Sequence, residues 1–173
     1  MPLRQRVPTA RYLFRQKEPA LNVKKYAIER YGLTVPQIVQ AKRGEDIVLD
    51  SGEVLSNADI TYRPYGTLSY AYCSDTNYSA RLAKMVEGVD MLYHEATYAA
   101  DMRKTAKERG HATTADAAKV AQMAGAGRLL IGHFSSRYKD LEALLAESRE
   151  IFPATDIARE RETFLIEPKA TKL

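Results

Sequence analysis

The chain has 173 residues, of which 45% are hydrophobic and 28% charged, with only 9 glycines and 7 prolines. This composition fits one folded domain of ordinary size and excludes a disordered, collagen-like or low-complexity chain. Lysine and arginine exceed aspartate and glutamate by 26 − 22 = 4, which mildly favours a polyanionic partner without establishing one. No apolar run approaches the roughly 18 residues of a membrane-spanning helix, so we expect no membrane span.

The sequence contains one cysteine, Cys73, and three histidines. A single cysteine cannot form an internal disulfide, and three histidines with one cysteine exclude a zinc-finger pattern. No apolar stretch of signal-peptide length follows the first residues. We therefore expect a cytoplasmic protein, in a compartment where thiols stay reduced.

The first third of the chain has the pattern of a strand followed by an inserted arm. We expect a strand over 7–15, a helix that Asn22 caps and that stops near Gly32, and a strand–turn–strand pattern over 46–55. A short basic segment lies between the helix and the hairpin. This section is expected to form an arm and not the main core.

After residue 66 the pattern changes to alternating strands and helices, which is typical of a sheet with helices packed on it. We expect strands at 70–73, 90–93, 128–132 and 163–166, and helices at 79–86, 114–124 and 141–151. No repeat or linker divides the chain. The sequence therefore predicts the α/β class, as one unit with the arm inserted near its start.

Polar side chains follow three of these predicted strands. Asp75 follows the first, His94 and Glu95 follow the second, and His133 follows the third. Because ligands and catalytic groups of open α/β sheets collect at strand carboxyl ends, we expect these side chains to share one site. His111 lies in a loop that could face the same edge.

Each of these residues also has a simpler structural interpretation. Asp75 could be a turn or capping residue, and His94 with Glu95 could be a buried hydrogen-bonded pair. His133 could be a plain strand-end residue, and His111 a capping or surface-loop residue. Their joint placement favours a metal hydrolase, because zinc accepts Asp and His ligands and keeps a position open for water. A catalytic zinc normally needs three protein ligands, so Asp75 and His133 alone would be part of a site.

Four motifs then occur in a fixed order, and at these residues the sequence resembles ribonuclease Z, the tRNA 3′-processing endonuclease of the metallo-β-lactamase superfamily. They are Ser74-Asp75-Thr76, His94-Glu95-Ala96-Thr97-Tyr98, His111-Ala112-Thr113-Thr114 and His133-Phe134-Ser135-Ser136-Arg137-Tyr138.

The resemblance implies a metallo-β-lactamase-like αββα sandwich, of which residues 1–173 form a partial domain, the second half only. Residues 19–66 are similar to the family's helix and hairpin arm, which grips tRNA away from the cleavage site. Lys42 and Arg43 would contact the RNA there. The implied substrate is precursor tRNA, from which the enzyme cleaves the 3′ trailer.

The resemblance also implies a role for each motif residue. Asp75 would bridge two zinc ions, and His133 would bind the second ion. His94 would donate a proton to the leaving 3′ oxygen, and Glu95 would orient it. His111 would join this catalytic group.

The same resemblance places the scissile phosphate or the RNA 3′ end against His111 and Arg137, with Ser135 as a further substrate-binding residue. The planar guanidinium of Arg137 suits a phosphate, because its donors form a fixed fork.

The zinc ligand set implied by the family is incomplete in this sequence. The family's first half carries a His-x-His-x-Asp-His motif, which this sequence lacks, because its three histidines are the widely spaced His94, His111 and His133. Gln5 stands where the family places a metal-binding histidine, and an amide is a poorer zinc ligand than imidazole. A glycine of the family is replaced by Arg11.

We therefore expect a truncated chain that is inactive alone and leaves one sheet uncovered, a condition that favours association. A homodimer or a complementing N-terminal half would cover that sheet. The alternative is a non-catalytic tRNA-binding or interaction protein derived from the enzyme, and a third possibility is a fragment without function.

Overall fold

The computed structural model describes residues 11–166. None of the described helices is long and apolar enough to cross a membrane. The strands and helices, in chain order, are β1 (Tyr12–Arg15), β2 (Asn22–Val23), α1 (Lys25–Tyr31), α2 (Val35–Lys42), β3 (Ile47–Val48), β4 (Val54–Leu55), α3 (Asn57–Ile60), β5 (Thr61–Tyr62), β6 (Ser69–Cys73), α4 (Ala80–Met85), β7 (Met91–Glu95), a 3-10 turn (Ala100–Met102), α5 (Arg103–Arg109), α6 (Thr114–Ala124), β8 (Arg128–Gly132), α7 (Glu142–Ile151) and β9 (Thr155–Ile157).

The chain divides into two compact units, and the larger contains a five-stranded sheet. The larger unit comprises Met1–Gln16 with Leu68–Leu173, and the smaller is Lys17–Thr67. The strand order is β1-β6-β7-β8-β9, in which β1 is antiparallel to β6 and the other neighbours are parallel. Helices connect the parallel strands, as a parallel sheet requires. The predicted α/β class is confirmed.

One face of this sheet packs against the helices and forms the main core. Leu92 and Ile131 are fully buried there with Val120 of α6. The alanines of α6 let that helix approach the strands closely. Thr113 and Asp116 form a capping box at its first turn, and Gly125 ends it with φ 58°. Helix α6 therefore begins and ends where the sequence predicts.

The opposite face of the sheet is aromatic. Strand register places Tyr12 beside Tyr72, Phe14 beside Tyr70, and Tyr72 beside Tyr93. The rings stack, with centroids 4.6 Å apart for the Tyr72–Tyr93 pair and 6.1 Å for the Phe14–Tyr70 pair. Tyr12 and Phe14 are 54% and 57% exposed. This aromatic face thus presents apolar surface to solvent at the edge strand β1.

The smaller unit has its own small core of six buried residues and contains three helices and two two-stranded sheets. The hairpin predicted over 46–55 is present as β3 and β4. The predicted cap is wrong: Asn22 lies in β2, where it pairs with Tyr62, and Lys24 is the residue before α1. The helix does stop at Gly32, which has φ 58°.

Helix α2, which the sequence analysis did not predict, lies before the hairpin and ends at the basic segment. Its start has a capping box, in which the Thr34 amide donates to Gln37 Oε1 at 2.9 Å, and Pro36 lies in the first turn. Proline is favourable there because the first amides of a helix have no partner within it. Lys42 is the last residue of this helix.

The ends of the described chain also differ from expectation. No strand forms over 163–166, and the last described strand is β9, which pairs with β8 through Leu129 and Thr155. Three residues are too short a run for its alternation to be recognised. The strand expected over 7–15 is observed from Tyr12, and residues 7–10 lie outside the described part of the chain.

Gly132 at the end of β8 lies against a tyrosine of the neighbouring strand. A Cβ at this position would be 2.7 Å from Tyr93 Oη. Because the Tyr93 ring is stacked on Tyr72, it cannot move away freely. We expect Gly132→Ala to lower the free energy of unfolding by about 1–3 kcal/mol in urea denaturation.

The matched control is Gly66→Ala, since a Cβ at Gly66 meets nothing within 4 Å. Equal stabilities of the Gly132 and Gly66 variants would contradict the close approach of Tyr93.

Candidate metal centre

Four potential ligands meet at the carboxyl ends of the central strands. Ligand atoms of Asp75, Glu95, His111 and His133 all lie within 4.8 Å of one another. Because β6, β7 and β8 are parallel neighbours, the segments that leave them begin side by side. The loop before α6 adds His111 to the same place. This arrangement brings together residues from all four sequence motifs.

Asp75 and His133 form the open side of the cluster. Asp75 Oδ1 lies 3.5 Å from His133 Nε2, and both side chains are more than 40% exposed. Both residues have positive φ, 50° and 60°, so the backbone is left-handed shortly after β6 and directly after β8. Two ligands bound at about 2.0–2.1 Å around one tetrahedral zinc are about 3.3 Å apart. The observed separation therefore suits a shared cation.

Glu95 forms the closed side of the cluster and is fully buried. Oε1 accepts from the Thr76 amide at 2.6 Å and from His111 Nδ1 at 3.0 Å. Oε2 accepts from the Thr97 hydroxyl at 2.6 Å and from the Ala112 amide at 3.2 Å. Because four donors already occupy this carboxylate, Glu95 fits a positioning role better than that of a metal ligand.

His111 follows α5 and faces the exposed pair. Its side chain is 23% exposed, and its ring centroid lies 5.3 Å from that of His133. A carboxylate only accepts, so Nδ1 carries the hydrogen that Glu95 receives. The second nitrogen, Nε2, is then left for a substrate or a metal.

His94 lies apart from this cluster. It is inside β7, whereas the predicted strand ended one residue earlier, and successive residues of a strand point to opposite faces. Since Glu95 points to the site, His94 points into the helix-covered core, where it is fully buried. Its Nδ1 donates to the Glu95 carbonyl at 2.7 Å, and burial lowers the pKa of the ring. The structure does not bring His94 to the other two histidines.

Arg137 and Ser135 lie in the loop that follows His133. Arg137 Nε donates to Ser135 Oγ at 3.3 Å, and its guanidinium lies over the Tyr98 ring at 5.2 Å. Tyr98 in turn contacts the His111 ring edge-on, with centroids 6.3 Å apart. Arg137 is therefore exposed beside the cluster and connected to it by aromatic contacts.

Other predicted positions lie elsewhere or outside the described residues. Lys42 and Arg43 are exposed at the end of α2 in the smaller unit. Gln5 lies outside the described part of the chain. Arg11 donates to Thr76 Oγ1 at 3.2 Å, next to the amide that Glu95 binds. Sequence reasoning gave no role to Thr97 or Tyr98, although both belong to the motif that begins at His94.

Curated relatives from several bacteria match nearly the whole chain. A ribonuclease Z of Porphyromonas gingivalis is 40% identical over 161 residues, which are 93% of this chain and 53% of the relative. The ribonuclease Z of Bacteroides thetaiotaomicron is 40% identical over 160 residues, and that of Cytophaga hutchinsonii is 36% identical over 167. They cover 92% and 96% of this chain, and 51% and 53% of the relatives. The chain is related to ribonuclease Z. It spans about half the length of the curated relatives that it matches.

Solved structures give partial matches, and no family model matches the chain. A metallo-β-lactamase fold protein of Bacillus subtilis is 28% identical, with a TM-score of 0.49 over 53% of this chain and 37% of that protein. The short form of human tRNase Z is 24% identical, with a TM-score of 0.47 over 62% of this chain and 37% of that protein. The relation to ribonuclease Z, a nuclease by name, rests on the sequence relatives.

Removal of the Glu95 charge should lower the stability of the segments that form the cluster. In Glu95→Gln one oxygen becomes an amide that cannot accept, so two of four buried donors lose their partner. We expect the free energy of unfolding to fall by about 2–4 kcal/mol, measured by urea denaturation of the metal-free chain.

Glu87→Gln is the control, because Glu87 is exposed in the same unit. A Glu95 variant as stable as this control would show that the four hydrogen bonds contribute little.

Proposed function

We propose that this chain is a ribonuclease Z-type segment that takes part in removing the 3′ trailer from precursor tRNA, and that it is inactive alone. The observation that carries this proposal is the convergence of Asp75, His111 and His133 around one point at the strand ends. The ribonuclease Z relatives supply the reaction class, and the small number of metal ligands in the cluster is the reason to expect no activity of the chain alone.

The donor set fits one divalent cation of borderline character. Asp75 and His133 provide a carboxylate and an imidazole at a suitable separation, and His111 lies in the same cluster. Such a mixture of nitrogen and oxygen ligands is typical of zinc. When bound, zinc would supply Lewis-acid activation for hydrolysis of a phosphodiester. A pair of zinc ions, as in the complete family site, needs more ligands than this cluster offers.

We assign proton donation to His111 instead of His94. His111 is partly exposed beside Asp75 and His133, whereas the ring of His94 is enclosed in the core. Glu95 holds His111 through Nδ1 and would balance the charge of a doubly protonated ring. Its Nε2 is then positioned to give a proton to a leaving oxygen.

Arg137 and Ser135 would bind the phosphate next to this centre. Both are in the loop after His133, and the Arg137 guanidinium is exposed on the Tyr98 ring. An exposed guanidinium can form two parallel hydrogen bonds with phosphate oxygens.

We also propose that a second polypeptide covers the aromatic face of the sheet. The exposed rings of Tyr12 and Phe14 favour burial against another apolar layer. A complementing N-terminal half would supply both that layer and further zinc ligands, whereas a homodimer would supply the layer alone. A cytoplasmic setting agrees with the single, buried Cys73.

Metal analysis of the purified full chain tests this centre. We expect one zinc per chain after dialysis, and we expect Asp75→Ala and His133→Ala to weaken zinc binding by at least about tenfold. His94→Asn should retain zinc, because its ring lies outside the cluster. In a complemented enzyme, His111→Ala should retain zinc and slow cleavage of precursor tRNA.

Asp101→Ala serves as the control, because Asp101 is an exposed carboxylate of the same unit. Two zinc ions per chain would contradict the incomplete site. Unchanged zinc binding in both ligand variants would remove Asp75 and His133 from it. RNA binding without any zinc would instead favour the non-catalytic interaction protein.

The basic end of α2 provides a separate test of RNA binding. Lys42 and Arg43 are exposed and adjacent, and phosphate contacts release counterions, so binding through them depends on salt. We expect the double variant Lys42→Ala and Arg43→Ala to bind tRNA more weakly, by about tenfold or less, with a smaller salt slope.

Cleavage of a short model phosphodiester by the complemented enzyme should stay unchanged in this variant. Equal losses on tRNA and on the short substrate would contradict a role in RNA binding remote from the chemistry. Lys107→Ala with Arg109→Ala, two exposed cations of α5, is the matched control.

A further inference from the structure

The hydroxyl of Thr97 joins the buried carboxylate to the exposed histidine. Thr97 Oγ1 lies 2.6 Å from Glu95 Oε2, 2.9 Å from His133 Nδ1 and 2.9 Å from the His133 carbonyl oxygen. The side chain belongs to a residue that is 7% exposed. No water is needed to complete this chain of contacts.

The backbone around Thr97 fixes this arrangement. The Ala96 amide donates to the Gly132 carbonyl at 2.8 Å, and the Ser135 amide donates to the Thr97 carbonyl at 3.0 Å. These two bonds tie the segment after β7 to the segment after β8 on both sides of His133. Thr97 and His133 are therefore held together independently of their side chains.

A count of hydrogens decides which group donates. The hydroxyl has one hydrogen, and its shortest contact is with a carboxylate, the strongest acceptor among its three neighbours. With that hydrogen given to Glu95, the oxygen of Thr97 can only accept from His133, so Nδ1 must be the protonated nitrogen. His133 Nε2, which faces Asp75 Oδ1 at 3.5 Å, then carries a free lone pair.

We propose that Thr97 is a positioning residue that fixes the Nδ1–H tautomer of His133 and so prepares Nε2 to bind a divalent cation. This inference rests on the proposed function, because it needs His133 to be a ligand. Metal-binding histidines are commonly oriented by a hydrogen bond from their second nitrogen. Here one carboxylate orients two imidazoles, His111 directly through Oε1 and His133 through the Thr97 hydroxyl.

Nuclear magnetic resonance of the metal-free full chain tests the tautomer directly. Long-range proton–nitrogen correlations distinguish a protonated ring nitrogen from a bare one, and His133→Ala assigns the signals of His133. We expect the Nδ1–H form of His133 in the natural chain and in Thr97→Ser, which keeps the hydroxyl. Thr97→Val, which removes it with little change of shape, should give a mixture of both tautomers.

The same variant should leave the His111 tautomer unchanged, because its contact with Glu95 Oε1 does not pass through Thr97. Thr61→Val is the matched control, since Thr61 is a buried threonine of the smaller unit whose hydroxyl donates to the Asn57 carbonyl. If Thr97→Val does not fold, Thr97→Ala provides the same comparison with less crowding.

Zinc affinity gives a second readout, measured by competition with a chromophoric chelator. We expect Thr97→Val to weaken zinc binding by about 10–100-fold, the usual effect of losing such an orienting partner. Thr97→Ser should restore most of the affinity, and Thr61→Val should not change it.

An unchanged His133 tautomer in both Thr97→Val and Thr97→Ala would overturn this role, as would equal zinc losses in Thr97→Ser and Thr97→Val. These failures are distinguishable from failure of the proposed function. If the natural chain binds no zinc, the metal centre is wrong and the role of Thr97 as preparation for a ligand fails with it. If the natural chain binds zinc through His133 but the His133 tautomer is the same in the Thr97 variants, only the present inference fails.

Discussion

The carboxylate of Glu95 is the interaction on which the site depends. It is fully buried, and its two oxygens accept four hydrogen bonds. The donors lie in three segments: the one after β6, the one after β7 and the one before α6. A buried charge is stable only when its partners are in place, so those segments are forced together. Asp75 precedes Thr76, whose amide donates to Glu95, and His133 lies against Thr97, whose hydroxyl donates to Glu95, so both ligand candidates are positioned from this anchor.

The alternation of side chains along β7 explains why two neighbouring residues of one motif have different environments. His94 and Glu95 are adjacent in β7, so their side chains leave the sheet on opposite faces. One face is the alanine-rich helix layer, where an imidazole stays neutral because burial lowers its pKa. The other leads to the strand ends, where a carboxylate can gather donors. Chemistry is therefore expected on the side of Glu95, with His111 as the proton donor.

The two faces of the larger sheet also explain why the chain is proposed to act with a second polypeptide. Helices bury one face, whereas aromatic rings line the other and are half exposed at β1. The chain spans about half of its ribonuclease Z relatives. The proposal of a second polypeptide rests on the exposed aromatic face and on the small number of metal ligands in the cluster. The same polypeptide would then complete the core and the metal centre together.

The sequence by itself determined the α/β order of elements, because apolar alternation and helical spacing are local, and helix α6 agrees with its prediction residue for residue. Because parallel strand ends converge, it also predicted that Asp75, Glu95 and His133 lie together, and it placed His111 in a loop that could face the same edge; the structure brings these four side chains together. It could not place His94, because the predicted strand ended before this residue, whereas His94 lies inside β7 and therefore points to the face opposite Glu95. It missed β9, which exists through pairing with β8. The role of Thr97 was decided by tertiary structure alone, since three contacts of one hydroxyl depend on distances between segments far apart in the chain.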